Sequence, residues 1–449
     1  MQHAQSGSGR RPGRRRPGGR PRRALLPALL TAVVLLLVAA CSDGHTDVRS
    51  QPAAGWPMYG GNEGNANFSH AQVPDGLELS WTRPTGGPIT APLTLNASGD
   101  VGVTAKTPNG CNTFVFAHDS GRKNFCKAMR EGVQFNALAF DQYSQPFIGE
   151  ETTFLSFNGG GAIRWRMPVV GVPVSAKFAA PGTVLTVTQR GQVLLLNAQT
   201  GDFQAPELRL WPDVDPADPL NGLGDCVSGG PACAVSAPPA VDPQRHRFFL
   251  NFVPQGAKVS QVQAMSYRVG SNAESGALGA NWSAELPGGV MGPPALSHDG
   301  QTVYAFSRSG SLFALAADSG EVKWHYDLGG FGFATLSVSP DGLIIPTSTL
   351  GGPLTILKDD GDKAELVTRR TDVQTVGLAA QTTAGTAWTV LREGDDQHLV
   401  LTEVSTKDGA TKRSLPLPDA VGFTTGVAVS ASGSVAVATN LGQVYYFSG

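Results

Sequence analysis

Four cysteines are the residues in this 449-residue sequence whose spacing most directly predicts chemistry. Cys111 and Cys126 lie on either side of a turn at residues 119–121. Counting outward from that turn places them nearly opposite one another on neighbouring strands, close enough to be bridged. Cys226 and Cys233 would then close a small loop. Zinc is the competing interpretation, but neither pair has a histidine at ligand-like spacing, so we expect two disulfides and an oxidising compartment.

The longest insertion, between Leu210 and Ser236, combines acidic residues, an aromatic residue and the second cysteine pair. The acidic and aromatic residues that mark it are Trp211, Asp213, Asp215, Asp218 and Asp225. Long loops on a rigid scaffold often carry function, which makes this one a candidate for binding a protein partner or a cation. The alternative is a variable surface excursion with no binding role.

Other acidic groups resemble catalytic or metal sites only superficially. Asp359, Asp360 and Asp362 surround a glycine but lack the terminal glutamate of a calcium loop, and they occupy a hairpin turn of the repeat described below. Glu150–Glu151 and Asp395–Asp396 are expected at solvated turns. No histidine forms a recognisable triad or metal pair. The sequence therefore predicts no catalytic residue and no metal ligand, and it leaves enzymatic activity undecided.

The first forty residues have the composition of an export signal. Eight arginines and no acidic residue precede an apolar run at residues 24–40, which contains Pro27 and is short for a membrane span. The run ends in Leu37-Val38-Ala39-Ala40-Cys41, which resembles the bacterial lipobox. That resemblance implies cleavage before Cys41, a diacylglycerol on its sulfur and a further acyl chain such as palmitate. The alternatives left open are an uncleaved signal anchor and, from Arg22–Arg23, export by the twin-arginine route.

These features divide the chain into a signal peptide at 1–40, a flexible tether at 41–55 and a folded domain at 56–449. Removal of the first forty residues leaves 26 basic against 36 acidic residues, a net charge of about −10. An acidic surface repels phosphate backbones, which argues against a nucleic-acid partner. We expect a lipoprotein on the extracytoplasmic face of the cell membrane, with envelope proteins as partners.

A four-strand pattern returns at intervals of about forty residues. In its clearest copy the first strand ends at residue 297, and the next three strands span residues 302–307, 311–316 and 322–326. Gly-containing turns separate these strands. A bulky residue recurs at the fourth-strand position of successive copies: Trp81, Phe125, Trp165, Phe203, Trp282, Trp324 and Leu366. Eight such units can be counted.

The last unit supplies three strands, at 426–430, 434–439 and 443–447. A strand at 77–83, carrying Trp81, precedes the first unit and has no sheet of its own. Placing it in the last unit closes a ring and leaves no open edge. The sequence therefore predicts an all-β, eight-bladed β-propeller of four-stranded antiparallel blades, closed by an N-terminal strand.

Residues 315–324, Leu-Ala-Ala-Asp-Ser-Gly-Glu-Val-Lys-Trp, resemble the repeat of quinoprotein-like propellers, the pyrroloquinoline-quinone-repeat family, in which the tryptophan locks neighbouring blades. Residues 56–61, Trp-Pro-Met-Tyr-Gly-Gly, are similar to the segment that enters that fold. One branch of the family holds dehydrogenases with an axial quinone, a calcium ion and often a vicinal disulfide. Another holds lipid-anchored, non-enzymatic propellers that present loops to partner proteins.

This sequence has no adjacent cysteines and no residues that align with the calcium ligands, so the resemblance favours the second branch. We therefore expect an interaction scaffold without a cofactor. The alternative is a quinone-dependent dehydrogenase, or another enzyme, on the same fold. Whether the axial channel takes a small molecule stays open, because its lining depends on strand register.

Overall fold

The computed structural model describes residues 49–329, 333–348, 351–394 and 398–449. The predicted signal peptide, Cys41 and the tether up to residue 48 lie outside these ranges, as do Asp395 and Asp396. Arg49–Gly449 forms one compact unit. Within the described ranges, we find no helix with the length and apolar character that crossing a bilayer requires.

Short apolar runs separated by glycine turns fold into four-stranded antiparallel blades, each numbered from its first strand. Blades 1 to 4 contain Thr94–Leu95 (β3), Val101–Thr104 (β4), Thr113–Phe116 (β5), Lys123–Lys127 (β6); Ala139–Phe140 (β7), Pro146–Glu150 (β8), Thr153–Phe157 (β9), Ile163–Pro168 (β10); Pro173–Ala180 (β11), Thr183–Thr188 (β12), Gln192–Asn197 (β13), Leu208–Arg209 (β14); and Ala240–Asp242 (β15), Arg247–Phe252 (β16), Gln261–Arg268 (β17), Ala277–Glu285 (β18). The first strand of each blade is called its inner strand and the fourth its outer strand.

The remaining blades follow the same order. Blades 5 to 8 contain Val290–Leu296 (β19), Thr302–Ser307 (β20), Ser311–Ala316 (β21), Val322–Asp327 (β22); Phe333–Val338 (β23), Leu343–Ser348 (β24), Gly352–Asp359 (β25), Ala364–Thr375 (β26); Ala380–Thr382 (β27), Thr386–Glu393 (β28), His398–Ser405 (β29), Thr411–Pro416 (β30); and Thr424–Val429 (β31), Val435–Thr439 (β32), Gln443–Ser448 (β33) with Glu78–Pro84 (β2). Phe68–Ser69 (β1) precedes them. The described helices are Leu223–Ser228 (α1) and a 3-10 turn at Val133–Phe135.

An N-terminal strand closes the ring. β2 pairs antiparallel with β33, and Trp81 lies opposite Tyr446. Blade 8 therefore combines three strands from the end of the chain with one from its beginning. The predicted eight-bladed propeller and its closure are confirmed, with one added feature: the end of the twelve-residue β26 also pairs with β28, which merges blades 6 and 7 into one sheet.

Tryptophans on several outer strands lock one blade to the next. Trp81 Nε1 donates to the carbonyl of His118 at 2.8 Å, and Trp282 Nε1 donates to that of Ala317 at 3.1 Å. A Cβ on Gly320 would lie 2.5 Å from the Trp282 ring, so the indole packs directly on the glycine turn of the next blade. Phe203 occupies the predicted fourth-strand position beside β13 only as an isolated bridge to Leu196, and the regular outer strand of blade 3, β14, begins at Leu208.

Both predicted disulfides are present. Cys111 bonds to Cys126 with the Cα atoms 5.4 Å apart, and Cys226 bonds to Cys233 with the Cα atoms 5.1 Å apart. The predicted register of the first pair was wrong, since Cys126 lies opposite Phe114. Because β5 begins only at Thr113, Cys111 reaches the bond from the loop before the strand.

The folded unit begins earlier than residue 56. Residues 49–55 belong to the stretch expected to be a flexible tether, but they pack on blade 2. The Ser50 hydroxyl donates to Asp141 Oδ2 at 3.0 Å, and the Ala53 N–H donates to the Phe140 carbonyl at 3.1 Å. Ser50 and Ala53 are buried, so this part of the predicted tether is ordered by backbone pairing that composition does not reveal.

Candidate functional site

Residues 56–69, here called the entry segment, run from blade to blade across the inner strands. Inner strands have one open edge facing the axis, and their free N–H groups need partners. In blades 1, 2 and 4 the donors are the N–H groups of Leu95, Phe140 and Val241. They bind the carbonyls of Trp56, Pro57 and Glu63 at 2.8 Å.

The same pattern continues around the ring. In blades 5, 6 and 7 the N–H groups of Leu296, Val338 and Gln381 bind the carbonyls of Gly64, Ala66 and Asn67 at 2.9, 2.8 and 3.1 Å. β1, the end of the entry segment, then pairs in parallel with β27. The entry segment therefore lies across one end of the axial channel, at the ring face where inner strands end; this is called the entry face, and the opposite one the loop face.

The entry segment bends at residues with positive φ. Gly60 and Gly61 have φ of 70° and 76°, and Asn65 and Asn67 have φ of 59° and 45°. Gly61 faces the Trp56 indole, which a Cβ would approach to 3.0 Å. Glycine and asparagine tolerate this conformation, which explains why these residue types recur in the segment.

Lys177 of blade 3 is the most unusual ionisable group against the entry segment. Its side chain is fully buried, and Nζ donates to the carbonyls of Tyr59, at 2.5 Å, and Asn62, at 2.7 Å. Burial lowers the pKa of Lys177 to about 7, although Glu63 opposes the shift. A neutral amine has two N–H donors, enough for both carbonyls. Lys177 thus binds the entry segment to blade 3, and the pKa of this lysine lies near neutral pH.

Between the entry segment and the loop face lies an axial cavity of about 630 Å³. Tyr59 forms part of its floor, and all eight blades contribute to its wall. The described lining residues are mainly apolar, and they include Ala91, Phe135, Val172, Ala237, Met291, Leu378 and Phe423. Arg308 is the one charged side chain among them, and none of them is Asp or Glu.

Four prolines in or just before inner strands line the wall: Pro92, Pro173, Pro238 and Pro293. Proline has no N–H, so this wall offers few backbone donors to a ligand. The remaining polar lining groups are mostly hydroxyls, including those of Thr90, Ser236, Thr335 and Thr425.

The insertion at residues 210–236, here called the stapled loop, joins blades 3 and 4 on the loop face. Leu223, Val227 and Ser228 of its helix α1 contribute to the wall of the axial cavity. Gln189 Nε2 donates to the Pro219 carbonyl at 2.7 Å, which fixes the base of the loop. Arg308 of blade 5 reaches the Ser228 carbonyl at 3.4 Å. The loop therefore extends from blade 3 towards blade 5 at the mouth of the cavity.

The five predicted loop residues do not converge on one point. Trp211 is buried; its Nε1 donates to the Val253 carbonyl at 2.8 Å, and the Arg190 guanidinium lies 5.7 Å from its ring centre. Asp215 and Asp225 accept backbone N–H groups within the loop, at 2.9 and 2.7 Å. The other two, Asp213 and Asp218, are exposed.

No group of three or more His, Cys, Asp or Glu side chains within the described ranges is arranged to hold a metal ion. The residues that line the axial cavity show whether a quinone cofactor would fit there. A calcium-bound quinone needs carboxylate ligands, whereas the described lining contains none. The residues present therefore do not fit that cofactor.

Asp359 has a role that the sequence did not indicate. Its Oδ1 accepts from Trp324 Nε1 at 2.9 Å and its Oδ2 accepts from the Tyr304 hydroxyl at 2.6 Å. Burial, followed by the bond to Asp359, raises the pKa of Tyr304. The turn predicted at this carboxylate is present, since Oδ1 also accepts the Gly361 N–H, but the same carboxylate joins blade 5 to blade 6.

Comparison with known proteins agrees with this architecture. Residues 254–411 match the family described as "Outer membrane protein assembly factor BamB". Protein Rv3035 of Mycobacterium tuberculosis (strain ATCC 25618 / H37Rv) is 32% identical over 418 residues, which cover 91% of this chain and all of that protein. The chain belongs to the same family as Protein Rv3035, that of the pyrroloquinoline-quinone-repeat β-propellers.

Two solved structures share the fold of this quinone-repeat propeller. BamB from Moraxella catarrhalis superposes with a TM-score of 0.54 at 16% identity, covering 83% of this chain and all of the other. Quinohemoprotein alcohol dehydrogenase from Comamonas testosteroni gives a TM-score of 0.58 at 14% identity, covering 88% and 80%. At these identities the likeness concerns the fold alone, so the function of this propeller must be argued from its own residues.

Proposed function

We propose that this chain is a lipid-anchored propeller on the extracytoplasmic face of the cell membrane, where it acts as a protein-interaction scaffold of the envelope. The lipobox-like sequence ending in Cys41 supports the anchor. Two disulfides fit an oxidising compartment. A family model described as an assembly factor agrees with a scaffold function.

The length of chain between anchor and fold supports a defined orientation. Arg49 lies eight positions after Cys41, and an extended chain spans at most about 3.3–3.6 Å per residue, so roughly 30 Å in total. Residues 49–55 pack on blade 2 at the entry face. A lipid on Cys41 would therefore keep the entry face near the membrane and leave the loop face turned outward.

The stapled loop is the observation that carries the proposal. It stands on the outward face, Val227 of its helix is 74% exposed, and α1 has no buried residue. An exposed aliphatic side chain on a loop that a disulfide pre-orders is suited to protein contact, because less entropy is lost on binding. We expect partner proteins to bind around α1.

Two experiments test the two halves of this function. Metabolic labelling with a fatty acid should label the wild-type chain and not Cys41→Ser; equal labelling of both would contradict the anchor. Crosslinked pull-down from intact cells should recover partners with wild type and with Val322→Asp, which alters an exposed outer strand. Val227→Asp should lose them, and recovery of no protein partner by wild type would contradict the scaffold.

A further inference from the structure

We propose that the axial cavity binds the acyl chain of an anionic lipid, with the acidic head at Arg308 under the stapled loop. This site lies beneath the protein contact proposed above and shares Val227 with it, but it requires access to lipid and no protein partner. Its volume, about 630 Å³, lies within the range of roughly 300–1,000 Å³ typical of small-molecule sites.

The shape of the cavity favours a ligand that inserts one end of a linear chain. The entry segment lies across one end of the axis, with Tyr59 in the floor, and the stapled loop narrows the other. A polymer cannot be threaded through a channel closed at one end. An occupant must enter from the loop face and stop above Tyr59.

The chemistry of the wall distinguishes an acyl chain from a peptide. A buried peptide needs partners for its own N–H and C=O groups, and each unmet group is costly. Here prolines replace backbone donors at Pro92, Pro173, Pro238 and Pro293, and aliphatic or aromatic side chains make up most of the remainder. An acyl chain has no polar group to satisfy, so this wall suits it better.

Charge at the mouth selects the head group. Arg308 is the one charged side chain among the described lining residues, and no carboxylate accompanies it. Arg308 is exposed, and its Nη1 donates to the Ser228 carbonyl of the stapled loop at 3.4 Å. A guanidinium has five N–H groups, so further donors are left for an anion. A fatty-acid carboxylate and a lipid phosphate share this chemistry.

The stapled loop contributes apolar contacts beside the same arginine. Leu223 and Val227 of α1 both line the cavity, and neither side chain is buried. An acyl chain beneath α1 would cover these side chains and add apolar contact there. We therefore expect α1 to be less mobile when lipid is bound.

The test uses the full chain in intact cells fed with palmitic acid that carries a diazirine and an alkyne. After irradiation, adducts are mapped on tryptic peptides, and the peptide containing Cys41 is scored separately because it can receive the same probe covalently. We expect adducts on the peptides containing Val227 and Met291. The adduct mass distinguishes free fatty acid from a phospholipid that has incorporated the probe, and either mass supports the site.

Three variants make the test specific. Ala237→Trp fills the cavity and should reduce these adducts at least tenfold, whereas Ala280→Trp, on the exposed outer strand of the same blade, should not. Arg308→Glu, at an exposed position where folding is not in question, should reduce them at least threefold. Adducts confined to the Cys41 peptide, or equal adducts in wild type, Ala237→Trp and Arg308→Glu, would overturn the proposal while leaving the protein-scaffold function untouched.

Discussion

Trp81 and Tyr446 stack face to face with their ring centres 5.1 Å apart and their planes 2° from parallel, although they lie near opposite ends of the chain. The indole also donates to His118 in blade 1. One side chain thus joins the N-terminal strand to blade 8 and blade 8 to blade 1.

Removal of that indole should open the ring. Trp81→Ala is expected to lower the free energy of unfolding by about 3–5 kcal/mol, the usual cost of deleting a buried tryptophan. Guanidinium denaturation followed by circular dichroism measures it. Val322→Ala, an exposed position on the outer strand of blade 5, should change stability by less than about 0.5 kcal/mol. Similar losses in the two variants would argue against the closure.

Lys177 should make stability depend on pH. Its pKa in the folded protein, about 7, lies below the ordinary lysine value of 10.5, so between these values the unfolded chain binds a proton that the folded protein does not. The contribution of Lys177 to the free energy of unfolding therefore rises with pH between about 7 and 10.5, by at most about 1.4 kcal/mol per pH unit. Below pH 7 this contribution does not change with pH.

Lys177→Met should remove that slope, measured as the difference in denaturation midpoint from wild type at pH 7, 8 and 9. Lys412→Met, at an exposed lysine on β30, is the matched control and should keep the wild-type slope. Parallel pH profiles for wild type and Lys177→Met would show that the buried amine keeps its proton.

Asp359 should contribute to the junction between blades 5 and 6. Asp359→Ala leaves the Trp324 indole N–H and the Tyr304 hydroxyl without their acceptor, which is expected to cost about 3 kcal/mol. Asp359→Asn keeps an acceptor and should cost less. Asp362→Ala, in the same turn but exposed, serves as control and should be close to neutral; a neutral Asp359→Ala would contradict the blade-locking role.

The two disulfides should differ in what they stabilise. The bond between Cys111 and Cys126 links β6 to the loop that precedes β5. Replacing both cysteines by alanine is therefore expected to lower the free energy of unfolding of the whole domain by about 3 kcal/mol. The Cys226/Cys233 double alanine variant should instead speed hydrogen exchange of α1, because that helix opens locally. Mass-spectrometric exchange measures both effects, and an unchanged rate at α1 would show that the bond does not order the loop.

The ring could be predicted from sequence because turn and strand signals recur with a fixed order, and because Trp81 occupies a fourth-strand position without a blade. The path of the entry segment could not, since the carbonyl of Ala66 pairs with an N–H of Val338, far along the chain. Asp359 had the composition of a turn, and its bonds to Trp324 and Tyr304 appear only once two blades are adjacent.

For the candidate site, sequence indicated the stapled loop but not what lies beneath it. The lining of an axial cavity depends on which residue of each inner strand faces the axis, and a shift of one residue reverses every side chain. The sequence did not indicate that Tyr59 and Arg308 line a cavity, because Tyr59 is in the entry segment and Arg308 is in an ordinary hairpin turn.

The most direct test of the scaffold function places a photocrosslinking amino acid at Val227 or at Val322 in the full chain in intact cells. These positions are 74% and 50% exposed, so both are accessible, but only Val227 lies on the loop face, on the stapled loop. We predict a discrete crosslinked protein partner from Val227 and none from Val322. No adduct at Val227, or the same adducts at both positions, would contradict a partner-binding loop face.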